Sequence, residues 1–112
     1  MKVGIFIVGA AKAGTTSLHY YLNEHPEILM CSEKEPDYFS DKEILDQGLY
    51  YGKSRIDSLI KYNNLFLKRD KEKFLGDASV SYLFYPEVSK RIKEYNPESK
   101  IIIMLRNPID RA

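Results

Sequence analysis

One cysteine, no surplus of charge and no long apolar run set the first limits on this chain. Cys31 stands alone, so no internal disulfide is available and the fold must stand on its core. A single thiol of this kind packs as a small hydrophobe, which places Cys31 in the interior. Seventeen Lys+Arg against sixteen Asp+Glu leave a net charge of +1. That balance offers no electrostatic basis for a nucleic-acid or anionic-membrane partner, so any bound anion must be held by local geometry. No stretch approaches the roughly 20 apolar residues that span a bilayer. Residues 1–8 begin with a charge and turn apolar, but they lack a small-residue cleavage site and run straight into a glycine-rich loop, so they read as mature structure. A reduced, cytoplasmic compartment is the resulting expectation. His19 and His25 belong to no metal-ligand spacing, and no metal is expected. Repeats, low-complexity tracts and linker-like shifts in composition are missing as well. What remains is 112 residues, 44% hydrophobic and 29% charged, an ordinary globular composition that predicts a single domain over residues 1–112.

Hydrophobic patterning supplies the elements. Val3 to Val8 is a short apolar run closed by Gly9, the pattern of a strand buried on both faces. A helix is predicted from near Thr15 to near His25-Pro26, with Leu18, Tyr21 and Leu22 on one face. Residues 27–41 read as irregular. A second helix is predicted over residues 54–63 on a stripe of Ile56, Leu59 and Ile60, and Phe74-Leu75-Gly76 as a brief strand. Pro86 opens a third helix carrying Val88, Ile92 and Tyr95, which Asn96-Pro97 ends. Residues 100–106 form the clearest strand, β-branched and nearly uniformly apolar. Apolar strands alternating with amphipathic helices predict an α/β fold, a parallel sheet flanked by helices. Ligands in such sheets bind at the carboxyl ends of strands, where the segments Gly9 to Thr16 and Arg106 to Arg111 both fall.

Gly9-Ala10-Ala11-Lys12-Ala13-Gly14-Thr15-Thr16 nearly matches the phosphate-loop pattern G-x-x-x-x-G-K-[ST]. Glycines permit the compact turn, main-chain N–H groups point inward, and the helix that follows presents its positive end to an anion. The departure is the lysine. Thr15 occupies its usual place, and Lys12 sits mid-loop. A nucleoside triphosphatase uses that lysine on the β- and γ-phosphates beside a magnesium ion; a mid-loop lysine suits a shorter anion, at the group attached to a 5′-phosphate. Small residues at a strand-to-helix turn also serve close packing alone, so both readings stand on this segment by itself.

The run from Phe6 to Leu18 resembles the 5′-phosphosulfate loop of sulfotransferases that use 3′-phosphoadenosine 5′-phosphosulfate (PAPS), with the heparan-sulfate-type, glycan-modifying enzymes and their bacterial counterparts as the nearest pattern. Three further segments agree in order. Lys34-Glu35-Pro36-Asp37-Tyr38-Phe39 is similar to the family's Lys-Glu-x-x-aromatic-Phe segment. Gly76-Asp77-Ala78-Ser79-Val80-Ser81-Tyr82-Leu83 resembles its Gly-Glu-x-Ser/Thr-Pro-x-Tyr segment, and residues 105–112 resemble its 3′-phosphate motif.

The resemblance implies a phosphate-loop-like sulfotransferase fold, of which this chain is the N-terminal part, with later family segments lying beyond Ala112. It implies weak PAPS binding and little or no turnover for residues 1–112 alone. It implies sulfuryl transfer from PAPS, without a metal, to a hydroxyl or amine acceptor, with a carbohydrate as the first class to consider. Lys12 would stabilise the leaving oxygen, while Ala11, Lys12, Ala13, Gly14, Thr15, Thr16 and Ser17 hold the 5′-phosphosulfate. Glu35 would take the acceptor's proton, a contribution of about 10²–10⁴-fold for a well-placed base, whereas a solvated acidic loop is the plain reading of Glu33, Glu35 and Asp37. Arg106 would grip the 3′-phosphate bidentately, against a plain reading as a strand-end arginine. Arg111 also matches the motif, as a ligand contact or as a tie for the segment near Pro108. Ser79 and Tyr82 would line the acceptor cleft or pack in the core. Ala78 stands where some heparan-sulfate enzymes carry lysine and Val80 replaces the usual proline, so acceptor specificity does not transfer with the motif. A phosphate-loop kinase and a non-catalytic nucleotide-binding fragment are the alternatives.

Overall fold

In chain order the elements are β1 (Val3–Gly9), α1 (Thr15–Asn23), β2 (Ile28–Met30), α2 (Asp41–Asp46), α3 (Leu59–Asn64), β3 (Phe74–Ala78), α4 (Ser81–Phe84), α5 (Pro86–Tyr95) and β4 (Lys100–Ile103). They come from a computed structural model that describes residues 2–9, 14–33, 35–49, 55–67 and 71–104. The strands form one four-stranded sheet in the order β2-β3-β1-β4, and each neighbouring pair is parallel. The central strand, β1, pairs Ile7 with Ala78 of β3 on one side and with Ile102 of β4 on the other.

Apolar residues on both faces of β1 build two cores, as its continuous hydrophobic run predicts. Ile7 packs with Met30 and Ala78 under Leu18 and Leu22 of α1. Phe6 and Val8 face the other way, into a larger core with Leu75, Tyr62, Tyr82, Val88 and Ile92. Phe39 lies edge-on to Phe6, 5.7 Å between ring centroids, and Tyr38 stacks on Tyr62 at 4.6 Å. This aromatic packing docks residues 38–39 against the sheet.

Several expectations are corrected. Residues 27–41 contain β2, whose three residues are too few to show a period; pairing with β3 makes it a strand. The second helix starts at Leu59, not residue 54, because the Ser58 side chain caps it by accepting the Lys61 N–H at 3.2 Å. Ile56 is buried ahead of that helix, Leu59 and Ile60 are exposed, and the helix buries Tyr62 instead. On α1, Tyr21 is exposed and His19 is buried in its stead. Helix α5 keeps the predicted face, with Val88 and Ile92 fully packed and Tyr95 partly so. β4 is an outer strand whose Ile101 and Ile103 are about half exposed (48% and 50%), so its apolar run is not buried on both sides. Cys31 is buried, as expected.

Candidate active site

The carboxyl ends of β3, β1 and β4 lie side by side. Beyond the last β3 pair, the Ser79 N–H donates to the Ile7 carbonyl at 3.1 Å; on the other flank, the Met104 N–H donates to the Gly9 carbonyl at 2.7 Å. Gly9 has φ 151°, and a Cβ built there would lie 3.0 Å from Leu83 Cβ, so α4 crosses the end of β1 at a distance only glycine permits. Gly14 caps α1 in the left-handed region (φ 90°), its carbonyl accepting the Leu18 N–H at 3.1 Å. A Cβ on Gly14 would lie 3.6 Å from Met104 Cε, so the amino end of α1 adjoins the end of β4. Strand β1, closing on Gly9, and helix α1, opening after Gly14, thus stand in the order that the phosphate-loop pattern predicts. Ser17 is exposed on the first turn of that helix. Ala11, Lys12, Ala13, Arg106 and Arg111 lie outside the described residues, as do the side chains of Thr15 and Thr16.

Glu35 is described, and its backbone is unusual. Both Glu35 (φ 56°) and Asp37 (φ 55°) adopt the left-handed region. Each such residue costs about 1–3 kcal/mol, and for Glu35 the proline that follows disfavours helical conformations further. The turn is held from the β3–α4 side. The Val80 N–H donates to Glu35 Oε1 at 3.3 Å, and the Asp37 N–H donates to Ser79 Oγ at 3.1 Å. Ser81 Oγ lies 2.6 Å from Asp37 Oδ1, to which it donates, and 2.8 Å from Ser40 Oγ. Pro36 between the two strained residues is fully buried. An acidic loop merely solvated at the surface would have none of these anchors.

Beneath the turn sits Asp77, a residue to which the sequence alone assigns no role. It is fully buried at the end of β3. The Tyr62 and Tyr82 hydroxyls each donate to its Oδ2 at 2.7 Å, and Ser79 Oγ donates to Oδ1 at 2.7 Å. Burial raises its carboxyl pKa to about 6, against the lowering effect of those three hydroxyl donors, and the nearby Asp37 charge pushes it up further. Burial, with the Asp77 charge, holds the Tyr62 and Tyr82 hydroxyls well above the ordinary tyrosine range. Ser79 and Tyr82 are buried, with their hydroxyls turned onto Asp77. An acid inside a β-strand, followed two residues later by serine and five later by tyrosine, was the available signal.

Among the described residues no group of three or more His, Cys, Asp or Glu side chains is arranged to hold a metal ion. His25 Nδ1 accepts the Glu27 N–H at 3.1 Å in the turn after α1. No helix among them is long and apolar enough to cross a membrane.

A parallel sheet whose central strand ends on Gly9, with a helix opening after Gly14 at its carboxyl edge, defines a phosphate-loop-like α/β protein. The sequence and the fold narrow this to one family. A sulfotransferase from Alicyclobacillus acidocaldarius superposes with a TM-score of 0.86 at 41% identity, over 99% of this chain and 47% of that one. Membrane-associated sulfotransferase kil1 of Dictyostelium discoideum is 31% identical over 106 residues, which is 95% of this chain and 21% of kil1. Mouse heparan sulfate glucosamine 3-O-sulfotransferase 6 is 29% identical over 95% of this chain and 27% of its own length. For human bifunctional heparan sulfate N-deacetylase/N-sulfotransferase 2 the figures are 31%, 95% and 12%. No protein-family model matches. Over the matched span the chain belongs to the sulfotransferase family, and it spans less than half the length of each of these relatives.

Proposed function

We propose that this chain carries the donor loop and the general base of a centre that moves a sulfuryl group from PAPS to a hydroxyl or amine acceptor. The observation that supports this most directly is the Glu35 turn. A carboxylate-bearing residue is kept in a costly backbone conformation beside the carboxyl ends of the central strands, in a chain whose relatives are sulfotransferases. The heparan sulfate enzymes among those relatives make a carbohydrate the first acceptor class to test.

In this reading the acceptor oxygen or nitrogen bonds to sulfur as the bond from sulfur to the 5′-phosphate oxygen breaks. The acceptor's proton passes to the Glu35 carboxylate, and 3′,5′-ADP departs. Lys12 offsets the charge that grows on the leaving oxygen, a stabilisation that is larger in the transition state than in the ground state. Main-chain N–H groups at the amino end of α1, with Ser17, hold the 5′-phosphate. Arg106 takes the 3′-phosphate. A leaving group with a single 5′-phosphate presents no β,γ pair for a metal to bridge.

Two measurements test this. Competition for nucleotide binding to the intact protein is expected to favour 3′,5′-ADP over ATP, and a preference for ATP with magnesium would favour the kinase reading. Replacing the base, Glu35→Gln, is expected to lower sulfation by at least about 10²-fold. Unchanged sulfation removes Glu35 from the chemistry.

A further inference from the structure

Asp77 touches no residue assigned above to substrate, yet two of its three hydroxyl partners also hold the strained turn. Ser79 Oγ gives its proton to Asp77 and accepts the Asp37 N–H at 3.1 Å. The Tyr82 hydroxyl gives its proton to Asp77 and accepts the Phe39 N–H at 3.4 Å. Each hydroxyl has one proton. An ionised carboxylate is acceptor-only, so it draws both protons inward and turns both lone pairs toward the loop amides.

We propose that Asp77 is a positioning residue for Glu35: by aligning the Ser79 and Tyr82 hydroxyls it fixes the Asp37 and Phe39 amides, and with them the left-handed turn that presents the Glu35 carboxylate. This rests on the reading of Glu35 as the base. The Tyr62 hydroxyl, from α3, completes the set of donors without reaching the loop. An apolar residue at position 77 would leave three buried hydroxyls without their acceptor. An asparagine would turn its NH₂ group toward one of them, making that hydroxyl an acceptor from residue 77 and weakening one of the two tethers to the turn.

Charge gives the arrangement a pH dependence. The titratable groups facing Asp77 are Tyr62 from α3, Tyr82 from α4, Tyr95 from α5 and Asp37 from the turn itself. The tyrosines stay protonated through the neutral range because burial raises all three. Asp77 therefore changes state first, at about 6. Below that pH it carries a proton of its own, and that proton displaces one of the three donors.

The test compares wild type, Asp77→Asn, Ser79→Ala and Glu35→Gln in the intact protein, with radiolabelled PAPS as donor and desulfated heparan sulfate as acceptor. Both positioning variants are expected to lose about 10- to 100-fold in kcat, the scale of a misplaced catalytic group, with KM for PAPS within about twofold. Wild-type kcat is expected to decline on acidification through about pH 6, and Asp77→Asn is expected to lack that decline. Independently of turnover, hydrogen exchange at the Asp37 amide is expected to quicken by about tenfold or more in Ser79→Ala as its acceptor is removed. This measurement, with the Ser79→Ala kinetics, decides the matter if Asp77→Asn does not fold. Wild-type kcat and pH profile in both variants, with Glu35→Gln inactive, would overturn the positioning role and leave the base standing. Equal turnover by wild type and Glu35→Gln would overturn both.

Discussion

A buried carboxylate with three hydroxyl donors is an expensive way to end a strand, and Asp77 makes the cost measurable. Its folded-state pKa of about 6 lies above the ordinary aspartate value of 3.8, so the folded protein binds this proton more tightly than the unfolded chain does. The resulting contribution is fully present below about pH 4 and is lost as the pH rises through about 6. Over that interval the loss is on the order of 3 kcal/mol. The difference in unfolding free energy between Asp77→Asn and wild type, from urea titrations at pH 4 and pH 7, is therefore expected to shift by about that amount in favour of the variant. A pH-independent difference would mean that Asp77 is not titrating in the folded core. Gly9 is the second residue whose identity is dictated locally. Alanine there combines φ 151° with a Cβ only 3.0 Å from both Cβ and Cδ2 of Leu83, so α4 must move. Gly9→Ala is expected to cost about 2–3 kcal/mol in the same titration.

At the scale of elements, the turn is clamped from a second side by α5. Arg91 Nη1 and Nη2 donate to Glu43 Oε1 and Oε2 of α2 at 2.7 and 2.9 Å, and Nη1 also donates to the Phe39 carbonyl at 2.8 Å. The Arg91 hydrogen bonds, with its charge, hold the Glu43 carboxyl below the usual range despite some burial. A depressed carboxylate pKa stabilises the fold above its unfolded value and loses that contribution as the pH falls through the folded one. Arg91→Lys cannot keep the two-pronged geometry. It is expected to cost about 1 kcal/mol at pH 7 and progressively less in acid, as read from thermal unfolding across pH. A cost that did not shrink in acid would assign the effect to the Phe39 contact instead. This clamp was not readable in the sequence, since Arg91 and Glu43 lie 48 positions apart and neither belongs to a motif. The same divide runs through the fold. β1, α1 and α5 were readable because period and punctuation act locally, through a continuous apolar run, a loop bounded by Gly9 and Gly14, and Pro86 at a helix start. β2 was not, because three residues become a strand only when β3 supplies their partners. Within the site, Glu35 was readable from its motif, whereas its left-handed backbone and the Asp77 network arise from tertiary contacts between residues 35–40 and 77–82.

At the scale of the whole molecule, what stands open among the described residues is the β4 side of the larger core. Val8, Leu83, Pro86, Val88, Ile92, Ile101 and Ile103 line a cleft of about 440 Å³, and the two isoleucines continue it onto the outer strand. Phe84, 76% exposed on α4, adds a further apolar surface. Monomeric proteins seldom leave contiguous apolar patches of this kind bare, and an uncovered outer strand is a template for pairing between chains. A polypeptide of residues 1–112 prepared alone is therefore expected to bind the dye ANS and to scatter light increasingly with concentration. The double substitution Ile101→Lys and Ile103→Lys is expected to reduce both signals severalfold, because a charged outer strand resists pairing. The substitutions leave β1, α1 and the Glu35 turn unaltered, so hydrogen exchange at the Asp37 and Val80 amides is expected to stay within about twofold of the parent polypeptide. Strong ANS binding that survived both lysines would move the exposed surface to Leu59, Ile60 and Leu67, the other large apolar side chains left facing outward on the α3 side.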